Sequence, residues 1–314
     1  MHDVEITQLP VLKPGEHSLL ETHSVLNIFN VLRGELALLG LALAGNDGLL
    51  ADSLAECDCQ IAHLTDPEAR TTDATKTNVF ECNVFSEIDA LLDRQPTART
   101  DPEVVESLGN LRSVFTVLVL RSRELLARAQ HRDRWIQFSL SALQQDFKDS
   151  FSAMERNSRG RFRMVYNAAL KQESDYYLDF RLEGDVTDEL WMPAVMQDVM
   201  RDLVANARKY TAPGGRITIA LHESPGELRF VVEDSGRGIP PGEITTVVEF
   251  GQRASNVGNV RTMGGGFGLT KAVLVTKQFG GRFWIASELG VGTRVRISLP
   301  RPVVAHSLPT THAA

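Results

Sequence analysis

The residues with the clearest chemical potential lie in the last third of the chain. At 228–240 a β-rich stretch, Phe230, Val231 and Val232, runs into a single acid, Asp234, and is followed by Gly236, Gly238 and Pro240. A strand that stops on a carboxylate and a glycine turn presents that carboxylate at a sheet edge. Glycine serves such a turn where the backbone takes positive φ or where a ligand presses close. A carboxylate enclosed there can accept a hydrogen bond from an exocyclic amine, such as that of adenine. Taken alone, Asp-x-Gly-x-Gly is more often an ordinary strand-ending turn. A second candidate lies near the start. His23 and Asn27 are four residues apart and share a helix face, and a neutral imidazole nitrogen is a competent nucleophile near neutral pH. A surface histidine on an amphipathic helix accounts for the same pattern.

The company of the Asp234 turn narrows the choice. Upstream stands Asp-Val-Met-Arg-Asp-Leu-Val-Ala-Asn-Ala-Arg-Lys-Tyr-Thr at 198–211; downstream stand Gly-Gly-Gly-Phe-Gly-Leu at 264–269 and Gly-Val-Gly-Thr at 290–293. This ordered set, over roughly 185–300, resembles the ATP-binding domain shared by sensor histidine kinases, DNA gyrase, the Hsp90 chaperones and MutL, the GHKL superfamily with its Bergerat fold. The segment Asn-Ala-Arg-Lys-Tyr-Thr at 206–211 is most similar to a sensor histidine kinase of a two-component system.

The resemblance implies ATP and Mg²⁺ as cofactors and assigns roles by position. Asn206 would hold the metal, which takes oxygen ligands and keeps several waters. Lys209 would contact phosphate, and Tyr210 would pack on adenine. Asp234 would accept from the adenine amine, Gly236 and Gly238 would let the base lie against backbone, and Thr293 would hold a water beside Asp234. Gly264, Gly266, Phe267, Gly268 and Leu269 would open a helix whose N–H groups cradle phosphate. Arg253 or Arg261, in a polar lid, would reach the γ-phosphate. Asp202, one turn before Asn206, would assist the metal or orient water, with a plain helix-surface carboxylate as the alternative. His23 would be the phosphoacceptor, with Asn27 beside it. The residue after the histidine is Ser24, where the family most often carries an acid, and this leaves the general base open. His17, followed by Glu21, is the competing acceptor.

The elements expected to position these residues divide the chain in two. With 314 residues, 43% hydrophobic and 23% charged, there is material for about two domains with sizeable cores. A net charge of −7 argues against nucleic-acid binding. Three cysteines, Cys57, Cys59 and Cys82, form neither a disulfide framework nor a ligand set at metal spacing and read as free thiols. The chain opens with no signal peptide, and the runs at 36–44 and 114–120 are too short to span a bilayer, so no membrane span and a cytoplasmic location are expected. Residues 1–15 read as a loose arm. Helical spacing covers 16–44, 78–94 and 103–130, with 46–76 irregular between them. The expected helical dimerisation and histidine-phosphotransfer domain covers 16–131, its stripes buried by pairing into a homodimeric bundle. The expected catalytic ATP-binding domain covers 132–300. Its helices are read at 141–154, 190–207 and 270–279, and its strands at 217–222, 229–232, 282–286 and 294–299. A hairpin is expected from 161–166 and 176–182. Residues 301–314 read as a disordered tail. The fold class is α+β, a helical bundle followed by an α/β sandwich.

The expected function is an ATP-dependent histidine autokinase that phosphorylates His23 and passes the phosphoryl group to an aspartate on the receiver domain of a separate response regulator. Input is expected from a separate sensor protein. The alternatives are a serine kinase or ATPase of the same fold, or a phosphotransfer or scaffold protein with a vestigial nucleotide site.

Overall fold

A computed structural model of the chain describes residues 1–13, 15–156, 158, 160–185, 188–258 and 265–302. The residues fall into two compact units, one of 13–130 with 146–162, the other of 1–12, 131–145 and 163 onward. The helical region thus precedes the sheet, as expected, but the chain passes between the units more than once.

The helical unit is built on α1 (Glu16–Ala44) and α5 (Pro102–Gln130), each of 29 residues. Val25, Phe29, Leu32, Leu36 and Leu39 of α1 are buried with Leu111, Phe115 and Leu118 of α5. These recur at steps of three and four, which keeps them on one stripe of each helix. The region 46–76 is not irregular: it holds α2 (Ala51–His63) and α3 (Pro67–Thr75), followed by α4 (Thr77–Arg94). Helix α2 escapes a hydrophobic reading because its buried face is Ser53, Cys57 and Gln60, and α3 buries no residue at all. Local chemistry starts α3: the Asp66 carboxylate accepts from the N–H groups of Glu68 and Ala69 (2.9 and 3.2 Å), and Pro67 occupies the first turn. Phe80 of α4 meets Phe115 edge-on at 5.4 Å and binds the insertion to the main pair. Helix α6 (Leu140–Arg156) begins in the sheet unit and ends in this one.

By length and composition α1 is apolar enough to cross a membrane. The run at 36–44 is the end of this longer helix, which also carries Val25, Phe29 and Leu32. A core helix passes the same test, and α1 buries Leu32, Leu36 and Leu39 completely.

Among the described residues, the main sheet of the sheet unit has seven strands in the order β1-β8-β9-β7-β6-β4-β3. They are β1 (His2–Glu5), β3 (Met164–Val165), β4 (Tyr176–Glu183), β6 (Arg216–Ser224), β7 (Glu227–Asp234), β8 (Arg282–Glu288) and β9 (Gly292–Pro300). Alternation puts Ile217, Ile219 and Leu221 of β6, Phe230 and Val232 of β7, and Val295 and Ile297 of β9 on one buried face. Against it pack α7 (Met196–Tyr210) and α8 (Gly268–Gln278). Each fully buried side chain of this kind contributes about 2 kcal/mol.

Four expectations change here. Residues 2–5 are an edge strand paired antiparallel with β8, not a loose arm. The supposed hairpin is a parallel pair, since β3 and β4 run the same way with Met164 opposite Tyr176. The helix expected from 190 starts at Met196, because β5 (Glu189–Pro193) pairs with β2 (Trp135–Ser139) and Pro193 ends the strand. Arg301, placed in the tail by its sequence, is buried between Glu223 (2.9 Å) and Asp185 (3.2 Å).

Candidate functional site

The strand β7 ends on Asp234, as its pattern requires, and the register sets Thr293 of β9 directly opposite. The Asp234 carboxylate accepts from the Gly236 N–H at 2.8 Å. Burial pushes its pKa up to about 6, against the lowering effect of backbone donors from Gly236 and Thr293 and of the Thr211 hydroxyl. It is a half-buried carboxylate whose acidity burial has weakened. Gly236 is there because nothing larger fits: a Cβ would lie 2.5 Å from the Tyr210 carbonyl and 2.6 Å from Asp234 Oδ1. On the other side, Gly292 at φ +142° lies so close to the Asp234 carbonyl that a Cβ would overlap it. Gly238 (φ +69°) passes equally close to the Glu288 carbonyl, and the Ile239 N–H donates to Ser287 Oγ at 2.8 Å. Ser287 Oγ is also 2.9 Å from Thr293 Oγ1, so Thr293 is placed beside Asp234 by a hydroxyl pair.

Helix α7 delivers Asp198, Asp202 and Asn206 at four-residue steps, hence on one face. The first residue of α8 meets that face: a Cβ on Gly268 would sit 3.0 Å from the Asn206 amide nitrogen. The start of α8, with its unsatisfied N–H groups, thus lies against Asn206. Gly266 has φ +78° and packs on the backbone of Gly251 and Gln252, while Phe267 stacks on Phe250 with ring centroids 4.5 Å apart. Leu269 is the second residue of α8. Gly264 and Arg261 lie outside the described residues. Arg253 donates from Nη2 to the Val257 carbonyl at 3.1 Å, so it is folded onto its own segment. Lys209 sits at the end of α7 with its ammonium 5.0 Å from the centre of the Tyr210 ring. Burial, and secondarily the Arg253 charge, bring the Lys209 pKa down to about 8.

Lys271 was not anticipated from sequence. Its ammonium lies 2.9 Å from Asp198 Oδ2 and 2.5 Å from Asp202 Oδ2. Asp202 is therefore neither a surface carboxylate nor an open base but one arm of an ion-paired cluster. A signal existed: a lysine inside Leu-Thr-Lys-Ala-Val-Leu-Val, on a helix that must bury its apolar face, demands a buried acid.

In the helical unit His23 is half-buried on α1, and the Asn27 amide Nδ2 donates to His23 Nε2 at 3.0 Å. The Glu21 carboxylate is taken by Arg70 of α3 (2.6 Å), and Arg128 of α5 donates to the Glu21 carbonyl at 2.9 Å. His17 is exposed in the first turn.

The layered sheet thus carries an acid at one strand end, and in the same unit a helix N-terminus faces an asparagine. Residues 193–303 match the family described as histidine kinase-, DNA gyrase B-, and HSP90-like ATPase. The chain's matched relatives place it beside the sensor histidine kinases. The adaptive-response sensory kinase SasA of Synechococcus elongatus is 33% identical over 127 residues, 40% of this chain and 32% of that protein. The histidine protein kinase DivJ of Caulobacter vibrioides is 35% identical over 113 residues, 35% of this chain and 19% of that one. The sensor protein SrrB of Staphylococcus aureus is 36% identical over 110 residues, 34% of this chain and 18% of that one. The chain spans a third or less of the length of these curated relatives.

Proposed function

We propose that the chain is an ATP-dependent histidine autokinase, a cytoplasmic homodimer that phosphorylates His23 and hands the phosphoryl group to an aspartate on the receiver domain of a separate response regulator. The observation that carries this reading is the pairing of two features in one unit, the enclosed Asp234 carboxylate at the end of β7 and Asn206 set against the start of α8. Asp234 accepts from the adenine amine and discriminates against guanine, which offers a carbonyl there. Tyr210 flanks the base, and Thr293 holds a water beside the acid. The N–H groups at Gly266, Phe267 and Gly268 take phosphate oxygens, and Lys209 adds a positive charge.

The residues present fit Mg²⁺: the Asn206 side-chain oxygen is a hard donor next to where phosphates lie, and bound metal would neutralise phosphate charge there. On α1, the Asn27 amide meets the His23 ring, and a neutral imidazole is the form that attacks. In transfer, a bond forms between an imidazole nitrogen and the γ-phosphorus, the bond to the bridging oxygen breaks, and ADP leaves. The ion-paired state of Asp202 argues against a plain ATPase, since a carboxylate held by an ammonium is a poor activator of water. Input from a separate sensor protein completes the scheme.

The test is γ-labelled ATP with the purified chain. Acid-labile label on the wild type, lost in His23→Ala, is the expected result. Acid-stable label, or phosphate release without any labelled protein, would overturn the reading. Label retained in His23→Ala would move the acceptor, with His17 tested next.

A further inference from the structure

The structure separates the two thiols of Cys57-x-Cys59. Cys57 turns into the helical core, where burial above all pushes its pKa up to about 12, with Asp58 and Glu56 adding to the rise. Cys59 lies on the other side of α2 and is exposed. His63 follows four residues later, on the same face as Cys59. Their contact is direct: Cys59 Sγ stands 3.6 Å from His63 Nε2. The other ring nitrogen, Nδ1, stands 2.8 Å from Asp73 Oδ2 of α3. A carboxylate only accepts, so Nδ1 carries the shared proton, and Nε2 of the neutral ring turns its lone pair to the thiol. A nucleophile, a base and an orienting acid thus stand in line within one unit.

The surroundings suit such a line. Helix α3 buries no residue, so polar contacts hold Asp73 in place. Asp66 caps the helix, and Arg70 reaches the Glu21 carboxylate at 2.6 Å and the Leu64 carbonyl at 3.4 Å. The acids flanking the thiol on its own helix are engaged elsewhere: Asp58 pairs with Arg33 of α1, and Glu56 accepts from Gln60, both at 2.8 Å. The line stays open to small molecules, with the His63 and Asp73 side chains 42 and 21% exposed.

We propose that Cys59 is a site of oxidation by hydroperoxides, with His63 as its base and Asp73 holding the ring. His63 Nε2 takes the thiol proton as Sγ attacks the hydroxyl oxygen of the peroxide. An S–O bond forms and the O–O bond breaks. The proton then passes from Nε2 to the departing oxygen, which leaves as water or an alcohol. Sulfur gives up two electrons and becomes a sulfenic acid, and the peroxide takes them. Asp73 stabilises the imidazolium formed on the way. A hydroperoxide fits this line better than an alkyl halide does, because its leaving oxygen must be protonated and the ring beside the sulfur has just gained a proton.

The experiment uses the full chain, reduced and then freed of reductant, at neutral pH and without nucleotide, so its result stands apart from the kinase reading. Hydrogen peroxide is added with dimedone, which traps sulfenic acid, and adducts are followed by mass spectrometry. Cys82, exposed on α4, is the internal reference. Cys59 is expected to form adduct about tenfold faster than Cys82. His63→Ala should bring the two rates within about twofold, and Asp73→Asn should remove about half of the advantage on a logarithmic scale. All three side chains lie outside the helical core, so these changes leave it intact. If His63 served only as cover, its removal would speed Cys59 instead. Equal rates at Cys59 and Cys82 in the wild type would overturn the proposal, as would an advantage that survives His63→Ala. Iodoacetamide, whose iodide leaves without a proton, is the second probe: a Cys59 advantage there with none toward peroxide would overturn the assignment to hydroperoxides.

Discussion

The two units of this chain hold their chemical groups in opposite ways. In the sheet unit, the site is cut out of backbone. Gly236, Gly238, Gly266 and Gly292 each bring main chain so close to main chain that a Cβ has no room. In the helical unit, the long helices that carry and back His23 tolerate side chains almost anywhere on their outer faces. Gly34 of α1 and Gly109 of α5 have nothing within 4 Å of where a Cβ would stand. His23 is instead met by a side chain of its own helix, Asn27. The lesson is that a nucleotide pocket is fixed by steric exclusion, which leaves a dense mark in sequence. A half-buried helical side chain such as His23 faces no such exclusion and leaves almost none.

The sharpest way to break this contrast is to fill the backbone gap beside Asp234. Gly292→Ala forces a methyl group into the Asp234 carbonyl and strains φ at +142°. A loss of about 3 kcal/mol or more is expected, with nucleotide binding gone, as read by thermal melting and calorimetry. Survival of both would mean that the β7–β9 corner relaxes freely. Phe115→Ala removes a fully buried ring from the helical core. It should cost about 3–5 kcal/mol of that unit's stability while the affinity for an ATP analogue stays within twofold.

The titrating groups give the third test. Recognition needs Asp234 ionised and Lys209 protonated, so binding should peak between about pH 6 and 8 and fall about tenfold per unit well below that window. Stability should move the other way on the acid side. The folded pKa of Asp234 is raised above the ordinary aspartate value of 3.8. The folded state therefore takes up protons first, and the cost of its buried charge, full above pH 6, is relieved as pH falls through 6 toward 4. An affinity that is flat from pH 5 to 8 would remove Asp234 from recognition. The smallest effect belongs to the permissive helix. Gly34→Ala in α1 should stabilise the helical unit by about 1 kcal/mol with no change in nucleotide affinity.

The same contrast explains what could be read before the fold was known. Asp234 with its glycines, Asn206, and the Gly-x-Gly-Thr that puts Thr293 across from Asp234 were legible because each spacing is enforced by a close approach. Strands β6 to β9 were legible by simple alternation. The two-residue β3 and the β2–β5 pair were not, because strands so short carry no period, and 190–193 merged with the helix that follows. Helices α2 and α3 hid behind polar stripes, one packing through Ser53, Cys57 and Gln60 and the other burying nothing. The Lys271 cluster was missed for another reason: its members lie about seventy residues apart, and only the packing of α7 on α8 brings them together.

The first strand has a practical consequence. Because β1 covers the outer edge of β8, with the Ile6 N–H still donating to the Phe283 carbonyl at 2.9 Å, a fragment cut to begin after residue 130 would leave that ribbon bare. Its open row of amides and carbonyls would invite a neighbouring molecule to zip on. Aggregation of such a truncated catalytic piece would then report a missing border, not a faulty core, and four residues supplied as a peptide would be the natural remedy to try.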